Sequence, residues 1–425
     1  MLKGLGSRLI SGRLCHSSPN VRTSFVNPKS SSTLSLSAIP TVEEMTSKLI
    51  EHLKMSKIEN FNEHQLQSKK LASRRMTDSY RQFRVPLSTD SNRGKLYLSA
   101  SNNIRMGKLL EDLDHLAVFV SYAHNAEDAN IEAPGTLPRT IVTASVPRID
   151  FHRENLHPGR DIIMDGQVTW AGTSSLEVLM RVARNPSDNN KKMRVHSLAA
   201  SCPDEAALIN DALEAMKTRN RSKGKVSPTN SELRMIHDIY EEFLRRNPNT
   251  WLPVLTKKEM WLHQTQLSMT DLCFPESQNM YGKIFGGFLM RKALELAHTN
   301  AKLFCKGHVV IRAMDDIVFV KPVEIGNVLH LDSYITYTEN EYVQVIVRAS
   351  VTNIIKSAET KINPCESRTT TNVFHFTIES CDSSELPIIL PKHYAHTSMY
   401  IEGRRHLHNS VRRMLSQRKP PSESQ

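Results

Sequence analysis

From Met106 to His124 the chain reads MGKLLEDLDHLAVFVSYAH, and from Gly286 to Ala301 it reads GGFLMRKALELAHTNA. Apolar residues return every three to four positions in both, with small residues between them, which predicts two apolar helices. At an offset of 180, Gly107 falls on Gly287, Leu109 on Leu289 and Ala117 on Ala297. Each run is followed by segments in which Val, Ile, Tyr and Thr alternate with polar residues, as half-exposed antiparallel strands require. Ile149-x-Phe151 matches Ile317-x-Phe319, and Gly159 matches Gly326 with one residue of slippage. One long helix and a set of antiparallel strands, occurring twice, predict an α+β tandem repeat.

The repeats are expected to occupy residues 84–185 and 256–385. Residues 186–255 between them are polar. They suggest helices near Pro203–Met216 and Ser231–Arg246, around a loop at Lys217–Thr229 rich in Lys, Arg, Ser and Asn. Pro203 suits a first helical turn, where its missing N–H would have no partner in any case. Residues 43–83 read as a charged helical lead-in, with Met45, Leu49 and Leu53 at helical spacing.

Charge sharpens the two ends. The 425 residues carry a net +11, which invites a nucleic-acid reading. The first acid, however, is Glu43, and before it stand Lys3, Arg8, Arg13, Arg22, Lys29 and ten serines. A basic, Ser-rich, acid-free start with Leu2, Leu5, Leu9 and Ile10 on one helical face has the character of a mitochondrial presequence, here residues 1–42. From Ile401 onward six bases meet two acids, so residues 386–425 read as a basic tail. The body between the ends is left near +2, with no aromatic-interleaved basic stripe, and nucleic acid is excluded as a partner. The six cysteines (15, 202, 273, 305, 365 and 381) show no metal-ligand spacing and read as thiols in a reducing compartment, which fits a mitochondrial matrix protein. No apolar run approaches the ~18–20 residues of a spanning helix, so no transmembrane segment is expected.

The helix starts carry the most specific motifs. The second is Asn279-Met-Tyr-Gly282-Lys-Ile-Phe-Gly286-Gly287, and the first holds Arg105-x-Gly107-x-Leu-Leu-Glu-x-x-Asp114. With the repeat and the presequence, they resemble the double-hotdog mitochondrial acyl-coenzyme A thioesterases of the thioesterase 9 type, over roughly residues 84–385. That resemblance implies a tandem hotdog fold, each an antiparallel sheet wrapped around a central helix. It also implies acyl-CoA as substrate, no metal or organic cofactor, and a homo-oligomer, a trimer of double hotdogs.

Thioester hydrolysis needs a base or nucleophile and donors for the developing oxyanion. Gly286 and Gly287 open a helix whose first N–H groups and positive dipole end suit that oxyanion; the same pair also lets helix and sheet pack closely. The resemblance gives Asn279 the task of orienting the water or the thioester, and Asp114 that of catalytic carboxylate. Read alone, Asn279 is a turn residue, and Asp114 is an acid close to an apolar face, hence a candidate for a perturbed pKa. Opposite Asp114 the second repeat has Leu294, followed by Glu295; opposite Asn279 the first has Ser99. Each repeat has lost what the other keeps, so the expectation is one composite site where the two hotdogs meet. Thr143 and Ser145 are secondary candidates for placing water or acyl group. Arg312 could meet coenzyme A phosphates or form a cross-strand ion pair. Glu111 and Asp112 read as helix surface or support for Asp114, and His115 and His124 as structural. The other readings are a hotdog acyl-thioester hydratase or dehydratase, whose Asp/His spacing is missing, and a non-catalytic acyl-CoA-binding protein.

Overall fold

The computed structural model describes residues 8–16, 39–48, 74–125, 141–184, 227–246, 249, 254–354 and 368–418, apart from 152–155, 157, 173–174, 280 and 383–384. The chain packs as two units, residues 1–217 with 275–291 and residues 218–274 with 292–425.

In the first unit β1 (Arg8–His16), β2 (Arg81–Val85), β3 (Ile141–Asp150), β4 (Ile162–Ala171) and β5 (Ser175–Arg184) lie in the order β2-β4-β5-β1-β3. Helix α1 (Met106–Asn125) packs against this sheet. It is apolar almost all round, as a helix enclosed by a sheet must be. Leu109, Leu110, Leu113, Leu116 and Val120 are all buried, and Phe119 meets Phe83 of β2 edge to face at 5.3 Å.

In the second unit α2 (Asn230–Arg246) precedes β6 (Glu259–Trp261) and β7 (Leu267–Leu272). Helix α3 (Gly286–Cys305) follows, its last four turns in this unit. The strands β8 (Val309–Val318), β9 (Val328–Glu339), β10 (Tyr342–Thr352) and β11 (Thr369–Ser380) complete an antiparallel sheet in the order β7-β9-β10-β11-β8. Asn300 of α3 donates to Thr265 O and Ser333 Oγ, satisfying a buried amide against β9. The architecture in each unit is a hotdog, one long helix against a sheet, antiparallel throughout in the second unit and antiparallel apart from the β1 pairings in the first.

The repeat extends to single hydrogen bonds. Before α1, Ser99 N donates to Asn103 O, Asn102 N to Ser99 O, Asn103 N to Ser99 Oγ, and Arg105 N to Tyr97 O. Before α3, the same bonds join Asn279 to Lys283, Gly282 to Asn279, Lys283 to Asn279 Oδ1, and Phe285 to Ser277. Every partner is shifted by 180. The loop needs a left-handed residue at one position, where Gly282 has φ +71 and Asn102 φ +60, the two residue types that tolerate it best.

Three expectations change. Arg8–His16 is a strand, not part of a helix: β1 runs parallel to β3 and β5 and lies between them. In the second unit the corresponding place belongs to β11, antiparallel to both neighbours. The helical lead-in is helical over 42–48, but Met76–Ser79 is a 3-10 turn and β2 begins at Arg81. The basic tail is folded over its described residues, 386–418. β12 (Ile388–Leu390) pairs with β6, and α4 (Tyr394–Arg418) packs on β9, β10 and β11. Tyr400, Ile401 and Leu407 of α4 are buried, Tyr400 and Ile401 with Ile236 of α2. These apolar positions are diluted among bases and so escape a periodicity reading. Residues 1–7 and 17–38 of the presequence, the helix expected near Pro203–Met216, and Cys202 and Cys365 lie outside the described residues; Cys273, Cys305 and Cys381 are free thiols.

Candidate active site

Asp114 sits just before the middle of α1, on the side facing the start of α3, and is 3% exposed. Oδ2 accepts the Gly287 N–H at 2.7 Å, and Oδ1 accepts the Thr143 hydroxyl at 2.8 Å. Gly287 is the second residue of α3. Its N–H is one that a helix start leaves without an intrahelical acceptor, and the dipole's positive end favours a carboxylate there. Burial raises the Asp114 pKa above the ordinary carboxylate value; the Thr143 bond, nearby His115 and the Gly287 N–H pull it back down.

Gly287 is required by space as well as by chemistry. A Cβ there would stand 2.8 Å from Glu111 Cα and 3.1 Å from Asp114 Cβ. The first of these is backbone and cannot step aside. Close packing and hydrogen-bond donation are therefore one feature, and the Gly287 N–H is spent on Asp114. Gly286, half-buried, opens the helix with the adjacent amide.

The loop is clamped around the site. Tyr281 and Tyr122 join their hydroxyls at 2.5 Å, and Tyr281 Oη accepts Ile141 N at 3.1 Å. This fixes the start of β3 two residues before Thr143. Tyr281 lies inside the Asn279–Gly287 motif, and sequence reasoning missed it because a tyrosine in a loop carries no period. Asn279 Oδ1 accepts the N–H groups of Tyr281 and Lys283, holding the loop's turn. Its turn role is thus explicit, and the side-chain amide is what remains for a ligand.

Around Asp114, Glu111 pairs with Arg291 at 2.7 Å and Lys108 at 3.2 Å. His115 Nδ1 contacts Glu111 O at 2.9 Å, and its ring packs on Phe285 at 4.2 Å, a satisfied position with its pKa lowered by burial. Asp112 is not helix surface. It is 2% exposed, accepts Tyr97 Oη at 2.5 Å and Lys108 Nζ at 3.1 Å, and is pushed up to about 6 by burial. An acid two residues from another on one helix points about 200° away, so Asp112 belongs to a different wall from Asp114.

Two candidates stay outside. Ser145, two residues along β3, is half-buried and makes no hydrogen bond to Asp114 among the described residues. Arg312 is 5% exposed on β8 and closes an ion pair with buried Glu379 of β11. It is not open to a phosphate, because both partners need each other to stay buried.

Two largely antiparallel sheets, each with its long helix, and a buried carboxylate on one helix bonded to the glycine start of the other define a double-hotdog protein. No family model matches the chain. Human mitochondrial acyl-coenzyme A thioesterase 9 is 35% identical over 364 residues, spanning 80% of this chain and 79% of its own. Mouse mitochondrial acyl-coenzyme A thioesterase 10 is 33% identical over 365 residues with the same shares. Among solved structures, an acyl-CoA hydrolase from Staphylococcus aureus in complex with butyryl coenzyme A and coenzyme A aligns with a TM-score of 0.33 at 19% identity, over 37% of this chain and 94% of that one. The chain belongs to the family of mitochondrial acyl-coenzyme A thioesterases 9 and 10.

Proposed function

We propose that this protein hydrolyses acyl-coenzyme A thioesters to the free acid and coenzyme A in the mitochondrial matrix, at a single composite site. The observation that carries the site is the pair of bonds from Gly287 N–H and Thr143 Oγ1 to buried Asp114. Family membership supplies the substrate class. Asp114 acts as general base. Each of its oxygens already accepts one bond but keeps a further lone pair for a water proton, whereas direct attack on the thioester carbon would break one of those bonds. Water loses a proton to Asp114 and adds to the carbonyl carbon. The oxyanion is met by the helix start at Gly286 and the Asn279 side-chain amide. Collapse of the tetrahedral adduct breaks the C–S bond, and the proton passes from Asp114 to the departing sulfur.

Leu294 takes the place of Asp114 in the second repeat and is itself buried, so the pseudo-equivalent position has no carboxylate and is inactive. Assembly as a trimer of double hotdogs is part of this proposal.

Purified protein mixed with acyl-CoA and a thiol-reactive dye tests the activity. Stoichiometric release of free thiol with free acid is expected. Loss or gain of a double bond without thiol would identify a hydratase instead, and tight binding without turnover a carrier.

A further inference from the structure

Helix α4 lies on the sheet of the second unit at a point of very close approach. A Cβ on Gly403 would stand 2.2 Å from Thr336 Oγ1 of β9, so only glycine lets the helix backbone come this near. On either side of Gly403, Glu402 and His406 are four residues apart and share a helical face. Both reach His375 of β11.

We infer that His375, Glu402 and His406 form a binding site for a divalent transition metal ion, zinc by its donor set, which clips α4 to the sheet. One ligand atom from each of the three lies within 4.8 Å of the others. His375 Nε2 stands 3.7 Å from Glu402 Oε1, longer than a hydrogen bond. It is close to the about 3.4 Å that separates two ligands at 2.0–2.1 Å on a tetrahedral zinc. The imidazoles of His375 and His406 stack at 3.9 Å and 15°. Stacking brings the rings together without giving either ring nitrogen a polar partner. For all three to ligate one ion, half-buried His406 must turn out of the stack so that its lone pair converges with the other two.

His375 is 5% exposed. Behind His406, the Asp316 carboxylate lies 3.9 Å from Nδ1, on a residue of β8 with φ +52. At that distance it is a charge beside the ring rather than a hydrogen-bond partner. The set is two imidazoles and one carboxylate, the nitrogen and oxygen donors that suit zinc with an open fourth position. Ser410, one turn further along α4, donates to Asp315 at 2.8 Å and anchors the same stretch of β8. None of these groups belongs to the Asp114 site.

The full chain, stripped with a chelator and titrated with Zn²⁺ by calorimetry, tests this directly. One equivalent per chain is expected, with a raised Tm, and Co²⁺ in its place should give the visible bands of tetrahedral coordination. Exposed Glu402→Gln and half-buried His406→Ala should weaken binding at least tenfold each. His408→Ala on the same helix, whose ring meets Glu339 instead, should leave it unchanged. Absence of a stoichiometric site, or equal binding by wild type, His406→Ala and Glu402→Gln, would overturn the assignment. His375→Ala is informative only if its melting transition stays cooperative, which is why the two helix variants decide.

Discussion

Thr143 shows how much one hydroxyl can do at a buried carboxylate. It donates to Asp114 Oδ1 and opposes the effect of burial on the Asp114 pKa. Two outcomes follow for Thr143→Val, which keeps the shape and removes the donor. The acid limb of kcat/KM, where activity is lost as Asp114 takes up a proton on falling pH, should lie above the ordinary carboxylate value. In the variant it moves to still higher pH. At its optimum kcat falls about tenfold, the equivalent of one hydrogen bond to a charged group of about 1.4 kcal/mol. A pH–rate profile of both proteins checks both. At this scale motif and spacing single out Asp114 and Gly287, which the structure brings into hydrogen-bond contact. The sequence was not legible for Tyr281 or Asp112. Tyr281 acts through a partner 159 residues away, and the burial of Asp112 depends on Tyr97 and Lys108 closing over it.

Among the elements, α4 departs furthest from expectation. Its bases look like a solvated tail, yet Arg405 reaches Glu232 of α2 with bonds of 2.7 and 2.6 Å, and also Ser227 O at 3.1 Å. Glu232 in turn completes a capping box with Thr229, giving α2 a fixed start. The Arg405 guanidinium holds the Glu232 carboxyl down to about 2. A depressed carboxylate stabilises the fold fully above its unfolded value, near 4.5, and loses that contribution as pH falls toward 2. Arg405→Ala should therefore cost about 2 kcal/mol in urea unfolding at pH 7. The difference from wild type should shrink as pH falls from about 4.5 toward 2. A gap that persists undiminished at the lowest pH would show that packing, not the ion pair, docks α4. The helices α1 and α3, by contrast, were plain from their apolar period, because each is enclosed on most sides and spends few positions on polar residues.

For the whole molecule, the offset of 180 is the thread from sequence to structure, running from apolar spacing to the same hydrogen bonds in both loops. What sequence could not supply is which of the terminal bases sit in folded elements. The N-terminal bases lie on a segment that includes β1, and two of the C-terminal bases, Arg404 and Arg405, face Tyr337 and Glu232. An import signal is read before folding, so a strand in the folded chain is compatible with a signal in the unfolded one. Deleting residues 2–42 should keep a fluorescent fusion out of mitochondria, while the full chain enters; equal import of both would remove the presequence. Where processing cuts decides whether β1 stays in its sheet. Among the described residues no helix is long and apolar enough to cross a membrane.

The central claim is that one carboxylate serves the whole chain. The direct measurement is thiol release from acyl-CoA by wild type, Asp114→Ala and Glu295→Ala, each with its far-ultraviolet spectrum and melting curve. Loss of a general base predicts a kcat drop of at least about a hundredfold for Asp114→Ala with the fold intact. Glu295→Ala, beside the position where the second repeat has Leu294, should keep most of the activity. Equal losses in the two folded variants would contradict a single composite site.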